Sequence, residues 1–260
     1  MKPDPSILLS FDVEEFDLPL EYDQAITREQ QLITGFNGLN NILPLLNRKD
    51  IQATLFTTAF FAERFPGIMK QLAEVHEIGS HTYYHTHFRE EDLLASKVKL
   101  EEITGKQVTG LRMPRMKTVP GETVIAAGYS YNSSINPCWL PGRYDNRHIS
   151  RTIFNDNGIA QVPVSVTPNL RIPLFWLAFK NMPYKMYARL ALKTLKKDGY
   201  LCLYFHPWEF TEIKQYDLPS YIKKADPAYL LAKLNRLVNE LSNEGSFISM
   251  KEFVANNPVV

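Results

Sequence analysis

The stretch His76-Glu77-Ile78-Gly79-Ser80-His81-Thr82-Tyr83-Tyr84-His85 decides how the rest of the chain is read. Residues 76–79 fit a short strand that runs directly into two histidines four residues apart. Histidines at i and i+4 project to one side of a helical turn, close enough to share one metal ion. His76-Glu77 looks like the opening of the zinc-protease pattern H-E-x-x-H, but that pattern needs a histidine where Ser80 stands. The usable pair is therefore His81 and His85, and a metal needs at least one further protein ligand. A part-buried pair satisfied by backbone carbonyls fits the same two residues, so the pair alone does not decide between metal and core.

Upstream of that stretch, residues 6–13 carry the apolar block Ile7, Leu8, Leu9 and Phe11, then an acidic exit of Asp12, Glu14, Glu15 and Asp17. This pattern reads as a buried strand with charge at its carboxyl end. Residues 27–49 have helical spacing in Ile33, Phe36, Leu39, Leu43 and Leu46, and Pro44 is expected to kink or divide that helix. A second strand over 53–57 and a helix over 59–75 lead back to the histidine stretch. Downstream, a helix over 90–104 stops at Gly105, 108–113 is a fourth strand, and 120–127 is a short helix closed by Gly128. Residues 129–132 follow as a fifth strand, 137–156 as an aromatic, turn-rich irregular insertion, and 159–166 as another strand. Residues 173–197 are mostly helical, and 200–205 form a strongly apolar strand that delivers His206. The segment 226–243 is an amphipathic helix with Asp226 as N-cap, Pro227 at its first position and Gly245 at its stop. Residues 247–249 and a turn over 251–255 complete the chain.

Strands alternating with helices argue for a parallel sheet with helices outside it. About seven such units predict an α/β fold in one domain, residues 1–260: a closed or distorted (β/α) barrel of about seven parallel strands. A doubly wound open sheet is the competing arrangement. Hydrophobic residues make up 45% of the chain, enough for one sizeable core. A net charge of +1 gives no field that points to nucleic acid or anionic membranes. Neither a glycine-rich dinucleotide fingerprint nor a phosphate-binding loop is present. The first apolar run ends in Asp12 and reads as a strand, not a signal peptide, and no stretch approaches the roughly eighteen apolar residues of a membrane span. Cys138 and Cys202 have no metal or disulfide spacing. These features predict a soluble, cytoplasmic protein with no nucleic-acid partner and no membrane insertion, and they are compatible with a homo-oligomer.

Reactive groups in such folds collect at the carboxyl ends of strands. Those ends here supply Asp12 and Glu14, then His81 and His85, then Arg112, then His206, all expected on one rim. A carboxylate with two histidines is a catalytic metal set that leaves an open position for water. Asp12 and Glu14 share parity in an extended segment, so one can bind metal while the other takes a proton from water. Arg112 can hold the base ionised through a bidentate contact, and His206 can protonate a leaving group. Tyr83, Tyr84, Trp139 and Trp208 can stack on a sugar ring, although such residues close cores equally well.

In combination these blocks resemble the polysaccharide deacetylase family, the metal-dependent carbohydrate esterases of NodB homology. The resemblance rests on Ser10-Phe11-Asp12-Val13, His81-Thr82-Tyr83-Tyr84-His85, Arg112-Met113-Pro114 and Leu203-Tyr204-Phe205-His206-Pro207-Trp208-Glu209, in family order over residues 6–210. It implies a distorted barrel that removes acetyl groups from N-acetylated sugars, with Asp12 as base, Arg112 orienting it and His206 as acid. It also implies a divalent metal, zinc being the expectation, on His81 and His85, and an oxyanion donor in the backbone N–H just after Pro114. Val13 stands where the family's second aspartate binds metal. A branch with D-x-D/E, resembling allantoinase-like and peptidoglycan deacetylases, makes Glu14 the third ligand, with Glu15 in reserve. Asp12-Val13-Glu14-Glu15 is also similar to deacetylases of exopolysaccharide synthesis. Arg115 replaces a family tyrosine, which can admit an anionic group, and Tyr84, Arg115 and Trp208 are the expected substrate contacts. Two other readings stand beside the deacetylase: a hydrolase of a small cyclic amide or ureide, and a non-catalytic carbohydrate binder.

Overall fold

In the computed structural model, which describes residues 4–259, the chain opens with β1 (Ser6–Val13), buried along almost its whole length. Its alternation sorts the two faces. Ile7, Leu9, Phe11 and Val13 enter the main core against the helices, whereas Leu8 joins a second cluster with Phe56, Tyr131 and Cys202 inside the curl. Val13 is thus a core residue by parity, and the inward face passes through Ser10 to Asp12. Helix α1 (Arg28–Leu46) starts at a capping box in which the Thr27 side chain accepts from Gln30 N–H and the Gln30 side chain accepts from Thr27 N–H. Pro44 does not divide it. It falls in the last turn, where a missing N–H loses little, and the helix ends two residues later.

β2 (Thr54–Thr57) leads into α2 (Ala59–Arg64) and α3 (Pro66–Leu72). The single helix expected over 59–75 breaks at Phe65, because the residue before a proline is pushed out of helical conformation. β3 (Glu77–Ser80), α4 (Glu91–Thr104), β4 (Gly110–Leu111), α5 (Gly121–Ala126) and β5 (Tyr131–Asn132) follow. The segment expected to be irregular contains a small antiparallel hairpin, β6 (Trp139–Leu140) with β7 (Tyr144–Asp145), and then β8 (Phe154–Asp156). β9 (Ile159–Gln161) precedes α6 (Trp176–Asn181) and α7 (Tyr184–Asp198), which are parted by Met182-Pro183. β10 (Tyr200–Phe205), α8 (Ser220–Lys223), α9 (Pro227–Ser242), β11 (Ser246–Phe247) and α10 (Met250–Asn256) complete the described chain. The turn expected over 251–255 is the helix α10, whose Met250 and Phe253 plug the amino end of the curl.

Seven strands pair in parallel in the order β10-β1-β2-β3-β4-β5-β9, with β8 antiparallel at the edge and β11 beside the start of β1. The run after β9 crosses to the far edge: Ser165 N–H donates to Cys202 O at 2.9 Å and Cys202 N–H to Ser165 Oγ at 2.8 Å. This is the distorted α/β barrel expected from the alternation, with one thin seam. Two glycines of α1 set the floor of the site. A Cβ on Gly35 would lie 2.4 Å from Glu14 O, and one on Gly38 would lie 2.0 Å from Pro207 O. The helix therefore lies directly on the backbone that carries Glu14 and on the turn that follows His206. No helix among the described residues is long and apolar enough to cross a membrane.

Candidate active site

Asp12, Glu14, His81, His85 and His206 converge at the carboxyl ends of β1, β3 and β10 and line one cavity of about 340 Å3. Glu14 Oε2 lies 3.0 Å from His81 Nε2 and 3.1 Å from His85 Nε2. Both imidazoles are turned by their other nitrogen. His81 Nδ1–H donates to Arg112 O at 2.8 Å, and His85 Nδ1–H donates to Asp17 Oδ1 at 2.7 Å. With Nδ1 so engaged, each Nε2 is aimed at Glu14, the orientation that outer partners impose on metal-binding histidines. Glu14 Oε2 and His81 Nε2 are buried and have no hydrogen-bond partner. Buried polar atoms are rarely left so, and these two lie 3.0 Å apart with His85 Nε2 beside them. Glu14, His81 and His85 are buried and within reach of one ion.

The neighbouring acid takes a different position. Glu15 turns away from the histidine nitrogens, accepts from Thr58 Oγ1 at 2.5 Å and lies 3.4 Å from His85 N. Burial pushes its carboxyl up, and the Thr58 hydrogen bond offsets this only in part. Burial also acts upward on Glu14, but His85, His206 and His81 outweigh it and hold that carboxyl well below the usual range. Against the opposing effect of burial, Glu14 and Asp17 push His85 up to about 9.

Arg112, fully buried, reaches back from the end of β4 to Asp12. Its Nη1–H donates to Asp12 Oδ1 at 2.7 Å and to Ser10 Oγ at 2.9 Å. Its Nε–H donates to Ser133 O and an Nη2–H to Ser133 Oγ, both at 3.0 Å, and its Cζ lies 4.2 Å from the Phe56 ring centre. A buried charge with so many donors satisfied is locked in place. Asp12 Oδ2 stays free to face the cavity, 3.9 Å from His206 Nε2. His206 is oriented from behind, where Nδ1 lies 3.2 Å from Glu209 Oε1, which also accepts from His206 N–H at 2.8 Å. Glu209 Oε2 is in turn 3.2 Å from the buried Lys180 ammonium. Burial works against charge on both His206 and Glu209; the surrounding acids nonetheless raise His206, and Lys180 and His206 lower Glu209.

Trp208 lines the cavity, stacks on His206 at 4.8 Å and donates Nε1–H to Glu14 Oε1 at 3.0 Å. Arg115 also lines it, but it is already neutralised by Asp17 at 2.9 Å and Glu21 at 2.5 Å. Tyr84 lies outside the cavity lining, stacked on His87 and packed against Tyr83 and Phe60. The sequence reading did not single out Asp17, Trp176, Lys180 or Glu209 for roles. Glu209 had a visible signal, an acid three residues after His206 in capping position. Trp176 and Lys180 sit one turn apart on α6, a spacing common to many ordinary helices.

Residues 2–124 match the model of the polysaccharide deacetylase family. Over 193 residues the chain is 27% identical to an uncharacterised 30.6 kDa protein of Geobacillus stearothermophilus, covering 67% of this chain and 68% of that one. Its fold is similar to a Mycobacterium smegmatis protein assigned to the polysaccharide deacetylases, with TM-score 0.66, 18% identity, and coverage of 98% of this chain and 91% of that one. It is also similar to the PuuE allantoinase, with TM-score 0.64, 17% identity, and coverage of 98% and 92%. The matched segment, just under half of the chain, carries the ends of β1, β3 and β4, and over it the chain is similar to the polysaccharide deacetylase family.

Proposed function

We propose that the chain hydrolyses the N-acetyl group of an amino sugar, with Glu14, His81 and His85 holding one divalent cation. The observation that carries this reading is the pair of orphaned buried atoms, Glu14 Oε2 and His81 Nε2, with His85 Nε2 beside them. Two imidazoles and a carboxylate suit zinc first among common cations. A cation held there supplies Lewis-acid polarisation of the acyl oxygen and makes water more acidic. Asp12, clamped by Arg112 through Oδ1, accepts the proton of the attacking water on Oδ2. His206, held by Glu209 with Nε2 toward the cavity, gives a proton to the departing amine, so that acetate and a free amino sugar leave. Trp176 and Trp208 offer aromatic faces for the ring.

Acetate release from N-acetylated chito-oligosaccharides and peptidoglycan fragments, with and without chelator, tests this. The expected result is turnover that chelation abolishes and zinc restores. A folded protein with no turnover under any divalent metal contradicts it. The small cavity favours one second reading, a cyclic amide or ureide substrate. Turnover of allantoin or a hydantoin in the same screen, without acetate release from sugars, would select that reading.

A further inference from the structure

The cavity is ringed by links between chain segments that are distant in sequence. Glu21, in the 3-10 turn Leu18–Tyr22, reaches Arg115 at 2.5 Å and Arg143 of the β6–β7 hairpin at 3.5 Å. Gln24 and the backbone of Asp217 exchange two hydrogen bonds, at 2.8 and 2.7 Å. Tyr22 and Tyr221 bring their hydroxyls to 3.5 Å. The ring thus runs from the hairpin through the turn to the segment before α8. Inside it, Trp176 and Trp208 stand nearly perpendicular to each other, at 79° and 5.4 Å, and both pack against His206. A volume of about 340 Å3 is near the bottom of the roughly 300–1,000 Å3 range of small-molecule sites, space for one sugar ring and its acyl group. A second recess of about 640 Å3 lies alongside and shares Glu21, His85, Arg115, Met116, Arg143 and Tyr144 with the first. The ion-paired trio forms a bar along the lining that the two share.

We propose that this bar and the Tyr22–Tyr221 contact restrict the site to one acylated sugar unit at the end of a glycan, excluding units inside a polymer. The inference rests on the amino-sugar reading above. An internal unit carries a neighbour on each side and needs two ways out of the pocket. The bar runs along the lining that the pocket shares with the adjacent recess, and the tyrosine pair spans another part of the rim. A terminal unit needs one exit only. Arg115 and Arg143 serve here as specificity-determining residues, and their charge is answered by Glu21 and Asp17 in place of an anionic substrate.

The test follows one N-acetylated chitopentaose in two ways. Mass spectrometry locates the units that lose acetyl in zinc-loaded enzyme, and saturation-transfer NMR on zinc-free enzyme identifies the rings in contact with protein. The expected result is loss of acetyl and saturation at one terminal ring. Arg143→Ala and Glu21→Gln should each raise the ratio of internal to terminal deacetylation about tenfold. Internal rings that react or saturate equally in the wild type overturn the inference. Terminal saturation without turnover keeps it and removes the hydrolase reading, whereas neither saturation nor turnover removes both.

Discussion

The two ends of the sheet each hold a carboxylate, buried at one end and half-buried at the other, and treat it in opposite ways. At the carboxyl end, Glu14 faces three histidines that hold it charged. At the amino end, Glu77 opens β3 and accepts from Thr54 Oγ1 and Tyr131 OH at 2.8 Å each and from Lys251 N–H at 2.9 Å. Those donors are neutral, and burial pushes Glu77 up. The bonds tie β2, β3 and β5 to the start of α10. Carboxyl ends of barrel strands hold chemistry and amino ends hold structure, and here one sheet shows both uses of the same side chain.

Substitution should separate the two ends. Glu14→Gln is expected to lower acetate release about a hundred- to a thousandfold, the scale of losing one preorganised electrostatic group, with the melting temperature nearly unchanged because the amide oxygen can still accept from Trp208 Nε1–H. Glu77→Ala should do the reverse. Three donors left without an acceptor cost about 1–3 kcal/mol in denaturant unfolding, while turnover stays within a few fold. Arg112→Met sharpens the contrast, because Arg112 belongs to both accounts. Leaving Asp12 unpaired should cost about 3–5 kcal/mol and remove activity together. The smallest effect is in pH. A carboxyl raised in the folded state holds a proton that the unfolded chain has released above its ordinary 4.5. Its contribution is present below that pH and is lost as pH rises through the folded value. Stability should therefore fall with rising pH in this window, and Glu77→Gln should flatten that part of the curve.

The carboxyl end was legible in the sequence because each reactive group there closes a short apolar strand. Asp12, His81, Arg112 and His206 follow such runs at once, and the parity of β1 separates Asp12 and Glu14 from Val13. The rim was not legible. Glu21, Arg143 and Tyr221 lie on a short 3-10 turn, a hairpin tip and a four-residue helix, and only the closed barrel brings them together. Pro66 and Pro183 set real breaks within segments of helical periodicity, whereas Pro44, in a last turn, did not. The hairpin Trp139–Asp145 is too short for its alternation to stand out from a loop. Lys180 and Glu209 meet through contacts that no local spacing encodes.

The central claim is that Glu14, and not the adjacent Glu15, completes the site of His81 and His85. Metal content by mass spectrometry, after dialysis of purified proteins against zinc and then buffer, tests it most directly. The account predicts about one equivalent in the wild type and in Glu15→Gln, and almost none in Glu14→Ala or His81→Ala. A folded Glu14→Ala protein that keeps a full equivalent, or a Glu15→Gln protein that loses it, would contradict the account.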